Sequence, residues 1–95
     1  MTSYQVAQFA IQDVELVVVF LDPDLDRNAL PRQRQDLYRA LRACASQAGR
    51  TGEVVAVWQD EFGRTRFIAP AEQHPFLQVV RYDQLYAQVN GTLAC

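Results

Sequence analysis

Residues 14–26 read Val-Glu-Leu-Val-Val-Val-Phe-Leu-Asp-Pro-Asp-Leu-Asp, an apolar run set directly against carboxylates at every second position. A strand buried on both faces has no polar alternation, so residues 16–21, rich in β-branched valine, predict a central strand. Upstream, residues 4–11 show a loose period of two. They predict a hairpin partner across Gln12-Asp13, a dipeptide that lacks the glycine a tight primed turn prefers. Downstream the pattern becomes helical over residues 29–48, where Leu30, Leu37, Leu41, Cys44 and Ala48 recur at steps of seven, four, three and four. Asn28 is the expected N-cap, Pro31 fits only in a first turn, and Gly49 is the expected stop.

The remainder of the chain is organised around turns. Residues 53–59 and 64–69 are two strand-like runs whose connection ends in Gly63, which predicts an antiparallel hairpin with positive φ at that glycine. Pro70 and Pro75 bracket a loop containing His74. Residues 76–82 read as a further strand, and Asp83 as the cap of a short helix bearing Leu85, Tyr86 and Val89 and closed by Asn90-Gly91. Strand, long helix and strand in succession favour a right-handed crossover, with residues 14–21 parallel to 53–59. The expected fold class is α+β. A small mixed sheet of about four to five strands would be covered on one face by one long helix and one short C-terminal helix. The covered face would draw on Val17, Val19, Leu21, Val55, Val57 and Phe67, and a one-residue slip in register would select the opposite set.

The chain has 95 residues, 49% hydrophobic and 21% charged, with a net charge of −2. Typical domains hold about 100 to 150 residues, so a single compact domain over residues 1–95 is expected. The charge gives no global attraction to nucleic acid or to an anionic membrane. The apolar run ends far short of the roughly 20 residues needed to cross a bilayer, and the first residues lack the pattern of a secretory leader. No membrane association is expected, and the location follows as cytoplasmic. Cys44 and Cys95 stand far apart and outside any CxxC spacing, so both read as reduced thiols.

Reactive groups are scarce. Every basic residue is an arginine. A Walker A loop and Schiff-base chemistry both require a lysine and are therefore excluded. His74 is the only histidine, and in a loop between Gln73 and Pro75 it reads as solvated. Ser3 and Ser46 lie outside any nucleophile-elbow context. The apolar run followed by Asp22-Pro23-Asp24 resembles the first motif of haloacid-dehalogenase-type phosphatases. That resemblance implies Asp22 as nucleophile and Asp24 as general acid. It covers only residues 17–26, the family's lysine is missing, and the chain is shorter than that family's domain. Asp22, Asp24 and Asp26 also match the first ligands of a calcium loop, which would make a metal-dependent enzyme of this loop. The central glycine and terminal glutamate of such a loop are replaced by Arg27-Asn28-Ala29-Leu30-Pro31. The preferred reading is a turn, with Asp24 and Asp26 placed before the positive end of a helix dipole. No cofactor and no enzymatic activity are expected.

Charge distribution is the more informative feature. Residues 1–26 carry Asp13, Glu15, Asp22, Asp24 and Asp26 and no basic side chain. Residues 27–50 carry Arg27, Arg32, Arg34, Arg39, Arg42 and Arg50 against Asp36 alone. Arg32, Arg39 and Arg42 follow steps of seven and three, which places them on one exposed helical stripe near Gln35 and Ser46. The expected function is a protein-interaction domain, acting as a regulatory, adaptor or assembly subunit toward a partner with an acidic surface. Its expected contact residues are Arg32, Arg39, Arg42, Trp58, Arg64 and Arg66, because arginine and aromatic side chains are enriched in interface cores. The alternative is RNA or single-stranded DNA binding through the 53–69 hairpin, with Trp58, Phe62 and Phe67 as stacking platforms beside Arg64 and Arg66. An exposed edge strand would also permit homo-oligomers by strand pairing.

Overall fold

A computed structural model describes residues 3–11, 13–22 and 30–95. The apolar run is β2 (Val14–Phe20), paired antiparallel with β1 (Ser3–Ile11). Ile11 faces Val14, and Asp13 between them adopts φ 67°. Aspartate supplies the left-handed geometry for which glycine was missing, because its short polar side chain tolerates that region. The chain then enters α1 (Pro31–Gln47) and returns in β3 (Glu53–Gln59), parallel to β2 as expected. β4 (Thr65–Ile68) folds back on β3 through the expected hairpin, in which Gly63 takes φ 80°. A 3-10 turn (Ala71–Gln73) leads into α2 (His74–Val79) and α3 (Tyr82–Tyr86), and β5 (Gly91–Ala94) ends the chain beside β1. The result is an α+β arrangement with one mixed sheet in the order β4-β3-β2-β1-β5.

Both faces of the sheet are covered, where one had been expected. Tyr38, Leu41 and Ala45 of α1 pack on Val6, Val17, Val19, Val54, Ala56, Trp58 and Leu93. Leu77 of α2 and Leu85 of α3 pack on the opposite face, against Ala7, Leu16, Val18, Phe20, Val55 and Val57. The face covered by α1 therefore takes the other set from β3. The parallel register sets Val17 opposite Val54 and Val19 opposite Ala56, so Val55, Val57 and the half-buried Phe67 turn away from α1. This is the one-residue slip that strand periodicity alone leaves open.

α1 is also rotated relative to the leucine stripe. Its buried residues are Tyr38, Leu41 and Ala45, while Leu37 and Cys44 lie at the margin and Leu30 is 67% exposed. Leu30 is the N-cap, and its N–H donates to the Gln33 side-chain oxygen at 2.9 Å. The expected cap, Asn28, lies outside the described residues. Residues 76–82 are not a strand. Pro75 occupies the first turn of α2, and Phe76, Leu77 and Val80 bury a helical face rather than an alternating one. α3 starts one residue before Asp83, with the Arg81 N–H donating to Gln84 Oε1 at 3.1 Å.

β5 was not anticipated, and it overturns the reading of the cysteines. Asn90 docks it: the Asn90 side chain donates to the Gln8 carbonyl and accepts from the Gln8 N–H. Leu93 is then buried, and the last residues lie against α1, where Cys44 and Cys95 form a disulfide. Two positions 51 apart in sequence stand 5.9 Å apart at Cα. They are not reduced thiols, and Cys95 is not a free tail thiol.

Candidate interaction face on the long helix

The expected contact residues fall into three groups. Arg32, Arg39 and Arg42 are exposed on α1, as their spacing requires. Arg39 lies 3.7 Å from Asp36, a wide pair between two well-exposed side chains. Arg42 lies over the Tyr38 ring at 5.9 Å from its centroid. Such stacking restrains the guanidinium over the ring.

Arg66 and Trp58 are cross-strand partners, and Trp58 is only 2% exposed. Trp58 is thus a core residue and not a surface anchor, which corrects the expectation from sequence. Its indole lies beneath Arg34, at 5.8 Å from the guanidinium carbon. Arg34 was not among the expected residues, although the sequence carried a signal for it. Positions 34, 38, 41 and 45 follow steps of four, three and four, which puts an arginine on the buried stripe.

Arg64 stands apart at the hairpin tip. Its guanidinium reaches Asp60 at 3.3 Å and lies 5.3 Å from the exposed Phe62 ring. Asp60 is buried beneath it, accepting the backbone N–H groups of Phe62 and Arg64 at 2.9 Å each. Burial pushes the Asp60 carboxyl upward, but those two N–H donors and the Arg64 guanidinium together outweigh it, leaving the carboxyl below its usual range. This ionised carboxylate organises a turn.

The space between α1 and the β3–β4 side of the sheet is open. A groove of about 600 Å³ is lined by Gln35, Arg42, Ser46, Arg50 and Glu53 among others. A second cleft of about 280 Å³ is lined by Arg34, Gln35, Trp58 and Arg66 among others. The two share Gln35 and Ile68 and so run end to end along the helix. Arg50 closes one end with its guanidinium committed, donating to Gln8 Oε1 at 2.7 Å and to the Thr92 carbonyl at 3.0 Å. Arginines 34, 42 and 66 therefore line one seam, and Arg32 and Arg39 continue the same sign on the outer face of α1.

Neither a protein-family model, nor a curated protein, nor a solved structure matches this chain. The reading of the site rests on its geometry.

The alternatives retain less support from these positions. Of the three hairpin rings, Trp58 and Phe67 turn into the two cores, and only Phe62 stands in solvent. Asp22 is exposed beyond the end of β2, while Asp24 and Asp26 lie outside the described residues. Among the described residues, no three histidine, cysteine or acidic side chains group to hold a metal ion. His74 is half-buried at the start of α2, its Nε2 3.0 Å from the Ala69 carbonyl and its ring edge-on to Phe67. Among the described residues, no helix is long and apolar enough to cross a membrane.

Proposed function

We propose that this chain works by binding rather than by catalysis, as a small regulatory, adaptor or assembly subunit that presents the α1 face and its seam to an acidic protein surface. The observation that carries this reading is the placement of the exposed Arg32 in the first turn of a helix that has no acidic residue in that turn. The positive end of the helix dipole disfavours a cation there, by about 0.3–1 kcal/mol for each exposed charge. Residues placed against a local rule are expected where function requires them. Arg42 and Arg66 extend the same sign across the seam, where bidentate guanidinium groups match carboxylates.

The test is quantitative capture from the native host, using wild-type protein and an Arg39→Glu/Arg42→Glu variant side by side. A specific protein should be retained by the wild type and lost from the variant, with unchanged far-UV circular dichroism. Equal retention by the folded variant would remove the arginine face from the account.

A further inference from the structure

β5 is a four-residue outer strand, held at both ends and across its middle. At its start the Asn90 side chain bridges the Gln8 backbone, donating to the carbonyl at 2.9 Å and accepting from the N–H at 3.1 Å. At its middle Arg50 reaches over the strand. Nη2 donates to the Thr92 carbonyl at 3.0 Å, and Nη1 donates to Gln8 Oε1 at 2.7 Å. The guanidinium lies so close to Gly91 that a Cβ there would stand 3.0 Å from Nη2. At the far end the Cys44–Cys95 bond fixes the strand to α1. Leu93 is the one large side chain that β5 buries. Hydrogen bonds between partly exposed groups exchange for water at modest net cost, so the covalent tie is what most distinguishes the closed strand. That tie is open to a reductant, because Cys95 is exposed and Cys44 only half-buried.

We propose that the Cys44–Cys95 disulfide is a redox switch whose reduction unlatches β5 and frees one edge of the Arg50 guanidinium. The reductant is a dithiol. One of its thiolates attacks the exposed Cys95 sulfur and forms a mixed disulfide there, while the Cys44 sulfur leaves as a thiolate and takes up a proton. The second thiol of the reductant then displaces Cys95. Two electrons and two protons pass to the protein, and the reductant departs as its cyclic disulfide. With the bond intact, opening residues 91–94 leaves a loop pinned at both ends, which regains little chain entropy. Once it is broken, the strand is pinned at Asn90 alone. The open population then rises although no contact of the closed strand has changed. Opening withdraws the Thr92 carbonyl from Arg50, which lines the groove beside Arg42, and uncovers the outer edge of β1. The switch does not depend on what the seam binds.

The test compares the oxidised chain, the chain reduced with millimolar dithiothreitol, and a Cys44→Ala/Cys95→Ala variant, each checked for fold by circular dichroism. Reduction should speed hydrogen exchange of the protected amides among residues 91–94 about tenfold, and the variant should match the reduced chain. In both untied forms this exchange should be insensitive to low urea, the mark of local opening, whereas exchange of residues 16–20 rises with urea. Phenylglyoxal, an arginine-selective dicarbonyl, should modify Arg50 about tenfold faster after reduction and the exposed Arg39 at an unchanged rate, read by mass spectrometry. Reoxidation should restore the slow rates in the wild type. A disulfide that survives dithiothreitol in the folded chain, unchanged exchange of residues 91–94 on reduction, or exchange there with the same urea dependence as residues 16–20 would each overturn the proposal.

Discussion

The two faces of the sheet are closed by different means. On one, a single helix of 17 residues lies across the sheet and is tied by a disulfide to the last residue of the chain. On the other, α2 and α3 have six and five residues and no covalent tie. Helices that short are not stable alone in water, so their order depends on what they bury. Leu77 and Leu85, each 1% exposed, are the two anchors. The comparison teaches where rigidity and adaptability reside. The arginine seam is built on the tied face.

Removing the tie is the strongest way to break this contrast. A cross-link between positions 51 apart is expected to contribute about 4 kcal/mol by restricting the unfolded chain. A Cys44→Ala/Cys95→Ala variant should lose about that much in urea denaturation, and the reduced wild type should match it. If the double variant keeps wild-type stability, the disulfide is not what distinguishes the faces.

The next largest effect concerns the untied face. Leu85→Ala removes the one buried anchor of α3 and should cost about 3 kcal/mol. Hydrogen exchange sharpens the contrast: amides of residues 74–86 should exchange faster than those of residues 35–45 already in the wild type, and the variant should widen that gap. Equal protection of the two segments would show that the short helices are as firmly held as the long one.

What was legible in the sequence follows the same division. The β1–β2 hairpin, the strand–helix–strand unit and the β3–β4 hairpin each depend on neighbours close in sequence, with periodicity and turn residues marking them. β5 has only Gly91-Thr92-Leu93-Ala94, and its docking is decided by Asn90 meeting Gln8, 82 positions away. No local pattern carries that pairing, and without it Cys95 has no reason to reach Cys44. α2 was misread because Phe76, Leu77 and Val80 form an apolar run too short to separate two periods. Of the expected contact residues, Arg32, Arg39 and Arg42 lie on the surface where their spacing put them, and Arg64 and Arg66 are exposed as well. Trp58 is not, because the slip of one residue in β3 register exchanges the inward and outward sets. Arg34 was overlooked for the converse reason: the leucine stripe drew the helix face some residues away from the one that α1 buries.

The smallest expected effects are in the pH dependence, and they sample both faces. Tyr38 on α1 donates its hydroxyl to the Val54 carbonyl at 2.7 Å, and burial raises its pKa above the ordinary 10.0, opposed by Arg42 and aided by Glu53. Tyr82 on α3 is raised chiefly by burial and further by Tyr86. A phenol that stays protonated longer in the folded state contributes stability that is complete below pH 10 and is lost as pH rises through the folded value. The carboxyl of Asp60 works in the other direction. Its stabilisation is present above pH 3.8 and is lost as pH falls through its lowered folded value. Urea midpoints measured across pH should therefore decline at both extremes. Asp60→Asn should flatten the acid limb alone, and Tyr38→Phe or Tyr82→Phe should each flatten part of the alkaline limb. If the tied face is the more rigid, the Tyr38 share should appear only with global unfolding. The Tyr82 share should appear earlier, as local loss of α3 in hydrogen exchange, before the urea midpoint moves.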